Sequence, residues 1–154
     1  MSPSKRFKPV QRVAQSREQK AAKALGRAQQ EVSVQEARLE ELKRYHKEYL
    51  DRFQRSTEMG ISVSQLHEYR AFLAKLERAI QEQEQIVSAS QRSRSSQQAQ
   101  WQQKHLRSQV LEKVVARYED EGRRTMESRD QKESDDRAQR GDASNPGGRF
   151  PETR

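Results

Sequence analysis

Two long polar segments, each with apolar residues spaced three and four apart, meet at Met59-Gly60-Ile61-Ser62-Val63-Ser64-Gln65-Leu66. Gly60 supplies a backbone free to take positive φ, as a helix C-terminus commonly needs. Ser62 and Gln65 have the spacing of a capping box, in which hydroxyl and amide satisfy each other's orphan N–H groups. Ile61 before the cap and Leu66 at the fourth helical position have the spacing of a hydrophobic staple. One helix ends and another begins within a few residues, which predicts a hairpin with its bend near 58–62.

The spacing continues away from the bend in both directions. The first arm carries Ala14, Ala21, Leu25, Ala28, Val32, Leu39, Leu42, Tyr49 and Phe53, with Glu18, Gln35 and His46 as polar members of the same stripe. The second carries Leu66, Tyr69, Leu73, Leu76, Ile80, Gln83 and Val87. It weakens through Ser90, Arg94 and Gln97, then recovers at Trp101, Leu111, Val115 and Tyr118. Steps alternating between three and four define a heptad seam. Only 31% of the 154 residues are apolar and 35% are charged. That is too little to fill a globular core, but enough for a stripe along good helix formers. The expected fold is all-α: two long helices in an antiparallel coiled-coil hairpin over 10–122. A flexible lead-in is expected at 1–9, with Pro9 in the first helical turn. A charged, partly helical tail is expected at 123–154, disordered from 141.

Antiparallel pairing about the bend predicts layers whose position numbers sum to about 118 or 119. They read Phe53 with Leu66, Tyr49 with Tyr69, His46 with Leu73, Leu42 with Leu76, Leu39 with Ile80, Gln35 with Gln83, Val32 with Val87, and Glu18 with Trp101. The two glutamines fall in one layer, where paired amides set register at some cost in stability. Val114, Val115 and Tyr118 outlast the first arm and are expected to lack cover, which marks them as a docking patch.

The residues exclude several functions. The three histidines, His46, His67 and His105, lack helical metal-site spacing and there is no cysteine, so neither a metal nor another cofactor is expected. No glycine-rich phosphate loop or nucleophile elbow occurs, and two helices close no pocket around a substrate, so no enzyme is expected. No apolar run is long enough to span a membrane, and no secretory leader is recognisable. The formal charge of +8 divides as +6 over 1–58, +3 over 59–119 and −1 over 120–154. The basic groups are interleaved with acids and no stacking platform is present, so nucleic acid is not the expected partner. Phe72 and Ala79 lie one step off the seam and, with Leu76 and Gln83, form a strip skewed to one side of the second arm. A helix presents such a strip to another chain.

The stretch LEELKRYHKEYLDRF…MGISVSQLHEYRAFLAKLERAI, with the polar DQKESDD further on, resembles the FliJ family of the bacterial flagellar type III export apparatus. The resemblance implies a two-stranded antiparallel coiled coil similar to the central stalk of rotary ATPases. It implies a motility protein in the cytoplasm, peripheral at the cytoplasmic face of the inner membrane. Its partners would be the hexameric export ATPase, the cytoplasmic linker of the large export-gate membrane protein, and export chaperones. The family's gate-binding strip falls on Phe72, Leu76 and Ala79, with Gln83 where relatives often carry His. Leu111, Val114, Val115 and Tyr118 are the candidate ATPase or chaperone contact. The rival readings are the equivalent stalk of a virulence injectisome, and a generic basic scaffold or nucleic-acid-binding coiled coil.

Overall fold

The computed structural model describes residues 2–143. Two helices account for nearly all of them, α1 (Pro3–Met59) and α2 (Val63–Ala143), and no strand occurs among the described residues. The chain forms two compact units, Gln15–Arg107 and the paired segments Met1–Ala14 and Ser108–Arg154.

In the unit Gln15–Arg107 the bend has the expected chemistry. Gly60 sits at φ 85°, and its N–H reaches the Thr57 carbonyl at 3.3 Å. The Gln65 N–H donates to Ser62 Oγ and the Ser62 N–H donates to Gln65 Oε1, both at 3.2 Å. This is the reciprocal cap that starts α2.

The buried and half-buried positions follow the heptad step on both helices. Val32, Leu73, Leu76 and Val87 are buried, flanked by half-buried Leu39, Leu42 and Ile80. The polar layer sits in this seam. Gln83 Nε2 donates to Gln35 Oε1 at 2.7 Å and to the Gln35 carbonyl at 3.0 Å, while Gln35 Nε2 donates to Glu31 Oε1 at 2.7 Å.

Long side chains depart from the simple layer rule. The pairs Glu18–His105, His46–Glu77, Ser56–Tyr69 and Glu36–Gln91 have position numbers summing to 123–127. A helical side chain leans toward the N-terminus of its own helix. Across an antiparallel pair two long side chains therefore lean toward each other, and their tips meet several positions beyond their Cα layer. Glu18 accordingly accepts from His105 Nδ1 at 2.5 Å, and Trp101 stacks on the His105 ring at 4.9 Å.

In the unit of chain ends, helix begins earlier than expected. α1 starts at Pro3, so residues expected as a flexible lead-in are helical from that position, and Pro9 lies inside the helix. Pro3 is suited to a first helical position, and the Ser2 carbonyl accepts from Lys5 and Arg6. Tertiary partners hold the segment: Phe7 stacks on Tyr118 at 5.5 Å, and Lys8 Nζ lies 3.5 Å from Glu119 Oε1. α2 passes through Gly122 and runs to Ala143, with ion pairs Arg123–Asp120 and Arg137–Glu133 along its exposed surface. Residues 141–143 of the segment expected to be disordered are thus helical. The remainder, from 144, lies outside the described residues.

Candidate docking faces

A seam of this kind leaves two flanks. The heptad is written abcdefg with the seam at a and d, so the flanks carry the e and g rows. In the unit Gln15–Arg107, Glu36 and Gln91 occupy e positions and hydrogen-bond at 3.2 Å, while Tyr45 and Phe72 occupy g positions and meet edge-to-face at 6.0 Å. One flank is therefore polar and the other aromatic.

The structure divides the four residues of the predicted gate strip. Leu76 and Gln83 are buried in the seam, 7% and 8% exposed, and Gln83 spends its amide on Gln35. Phe72 and Ala79 are half-buried on the g row. Phe72 also packs against Tyr49 at 4.4 Å, so it is part of an aromatic cluster that includes Tyr69 and Phe53. The Tyr49 phenol is pushed above its ordinary value, first by desolvation and then by the neighbouring Tyr69 and Tyr45 hydroxyls.

Two residues outside the predicted strip belong to this flank. Ile86, 46% exposed, lies one heptad beyond Ala79 in the same row. Tyr45 faces Phe72 and lines an open groove of about 490 Å³ with Arg38, Glu41, Leu42 and Gln83. The sequence signal for Ile86 was the seven-residue step Phe72, Ala79, Ile86. The signal for Tyr45 was its place one step off the seam on the facing helix.

The other predicted patch, Leu111, Val114, Val115 and Tyr118, receives more cover than expected. Val115 is buried, Leu111 and Val114 are half-buried, and Tyr118 lies against Phe7. The early start of α1 supplies that cover, since Phe7 and Ser4 extend the a/d series of the first helix. The large apolar groups left open in this unit are Val10, Val13, Val110 and Met126.

No group of residues that could hold a metal ion, and no helix long and apolar enough to cross a membrane, occurs among the described residues. A family model described as "Flagellar FliJ protein" matches residues 3–146. No curated protein and no solved structure matches the chain.

Proposed function

The chain belongs to the FliJ family and is a component of the flagellar export apparatus, and from that premise we propose that it serves there as a non-enzymatic stalk and escort. In this reading it enters the hexameric export ATPase, contacts the cytoplasmic linker of the export gate, and passes on export chaperones, at the cytoplasmic face of the inner membrane. A two-helix element inside a six-fold ring meets only some subunits at a time. It can therefore bias their states unequally and couple hydrolysis to the gate.

The observation that carries the gate contact is the row Phe72, Ala79, Ile86, half-buried at its first two members and exposed at Ile86, beside a seam that has consumed Leu76 and Gln83. An apolar row at heptad spacing is what a partner helix or extended segment can bury. Tyr45 and the groove beneath it widen the row onto α1. The reading is tested with Ala79→Asp/Ile86→Asp, because both side chains lie outside the buried seam. Binding of the purified linker should be lost while helicity and stimulation of the export ATPase persist. Linker binding equal to that of the unaltered chain would refute the gate assignment, and failure of the unaltered chain to change ATPase turnover would refute the stalk.

A further inference from the structure

The net charge of the chain is concentrated at one level of the unit Gln15–Arg107. Residues 15–30 carry Arg17, Lys20, Lys23 and Arg27 against Glu18, and residues 88–107 carry Arg92, Arg94, Lys104 and Arg107 against no Asp or Glu. These segments hold +3 and +4, or +7 of the formal +8. On α1 the charge is also one-sided. Arg17 lies in the g row, Lys20 and Arg27 in the c row beside it, and Lys23 in the f row beyond, an arc of about 120°; all four are exposed. The e and b rows on the other side of the helix hold Gln15, Gln19, Ala22, Gly26 and Gln29. Arg107, also exposed, lies in the g row of α2, which faces the g row of α1 in this unit.

The fold does not account for this face. Arg17 and Lys20 are three residues apart, as are Lys20 and Lys23, and Lys23 and Arg27 are four apart, spacings at which like charges destabilise a helix. The two nearest acids of α1 are engaged elsewhere: Glu18 hydrogen-bonds His105 across the seam, and Glu31 accepts from the Gln35 amide. The ion pairs of this unit are His46–Glu77 and His105–Glu18, so none of the five cations is in one among the described residues. Around them the g and c rows hold small or neutral polar side chains, Ala24 on α1 and Ala89, Ser93, Ser96, Gln100 and Gln103 on α2.

We propose that this face of α1, Arg17, Lys20, Lys23 and Arg27 with Arg107 beside it, adsorbs to a bilayer surface rich in anionic phospholipid. Headgroup phosphates take the place of the absent carboxylates, an adsorption that needs no inserted apolar face. A protein partner calls for an apolar or aromatic centre and disfavours Lys, and these rows supply only alanines for that centre. Single-stranded nucleic acid calls for free aromatic rings, and the indole of this level, Trp101, is stacked on His105. A duplex presents its phosphates on a curve that falls away from a straight strip about 15 Å long. Headgroups form a plane that every cation of the strip can reach. The proposal rests on the charge of one face and not on the family reading, so a failed gate or ATPase assay leaves it standing.

The test is co-sedimentation of the full chain with vesicles of phosphatidylcholine alone or mixed with phosphatidylglycerol. The chain should bind the mixed vesicles only, and less as salt rises. Lys20→Glu/Arg27→Glu should weaken binding by about thirtyfold or more, since each basic group at such a surface is worth roughly fivefold. The new carboxylates stand three residues from Arg17 and three and four from Lys23, so helicity by circular dichroism should be kept. The control Lys43→Glu/Lys47→Glu changes the net charge equally on the e and b rows nearer the bend. It lies more than a Debye length from the strip and should weaken binding by less than about fivefold. Equal binding to both kinds of vesicle, binding to neither, or equal loss in the strip and control variants overturns the proposal. Strip-dependent capture of duplex DNA or of polyglutamate, without strip-dependent vesicle binding, reassigns the face and overturns it too.

Discussion

Replacing both members of the buried amide layer should stabilise the protein, whereas replacing either alone should not. Gln35 and Gln83 are 7% and 8% exposed, and the Gln83 amide serves two acceptors on residue 35 at 2.7 and 3.0 Å. Gln83→Leu strands the Gln35 oxygen in an apolar layer, a loss of about 1–3 kcal/mol. The leucine returns roughly 1.5–3 kcal/mol through burial, so the single variant comes out near neutral. The pair Gln35→Leu/Gln83→Leu strands no side-chain amide and gains burial twice, so a net gain of about 1–4 kcal/mol is expected, in line with other buried polar groups replaced by apolar ones. At this chain length each kcal/mol corresponds to roughly 2–4 °C in Tm. Thermal unfolding followed at 222 nm gives the four corners of the double-mutant cycle, with a coupling of about 1 kcal/mol or more expected between the sites. The chain has no cysteine, so spin labels at positions 39 and 80 can be placed without background. Their distance distribution should broaden in the double variant, because a slipped register no longer strands two amides. A double variant less stable than the original chain, or single effects that merely add, would refute the account of the layer.

Other expectations follow from the backbone and the aromatic cluster. Gly26→Ala should stabilise by up to about 1 kcal/mol, since a Cβ there meets nothing within 4 Å. Gly60→Ala should instead destabilise by about 1 kcal/mol or more despite equally open space, because φ there is +85°; chemical denaturation of the two variants checks both signs. The raised Tyr49 phenol stabilises the fold fully below its ordinary pKa of 10.0, and that contribution is lost as pH rises through the higher folded value. The stability difference between the original chain and Tyr49→Phe should therefore be flat up to about pH 9 and shift against the original chain above pH 10. A difference independent of pH up to 11 would remove the burial argument for that hydroxyl.

The bend and the seam were legible because each depends on local spacing. Ser62 with Gln65, Gly60 with its free backbone, and apolar steps of three and four are patterns a few residues long, and the bend then sets the phase between the helices. Two things were less legible. The first was cover at the chain ends: Ser4 and Phe7 continue the seam by only one small polar and one apolar residue, too short a signal beside Pro3 and Pro9. Phe7 nevertheless reaches Tyr118, and with it the second helix loses the bare end expected of it. The second was the lean of long side chains. Counting layers by position number pairs Glu18 with Trp101, but the carboxylate passes that layer and reaches His105, leaving the indole to stack on the imidazole.

The same distinction decides how substitutions in the predicted strip should be interpreted. Leu76 and Gln83 hold the two helices together, so Leu76→Ala removes a buried side chain and costs about 2–5 kcal/mol before any partner is considered. A loss of binding in such a variant reports on the seam. Phe72 is intermediate, because its ring packs on Tyr45 and Tyr49 as well as facing outward. Ala79 and Ile86 are the positions where a charge can be added without disturbing the seam, so they separate docking from folding. If Leu76→Ala abolished linker binding while Ala79→Asp/Ile86→Asp did not, the partner would be sensing an intact pair of helices and not the g row, and the assignment of this flank would have to be withdrawn.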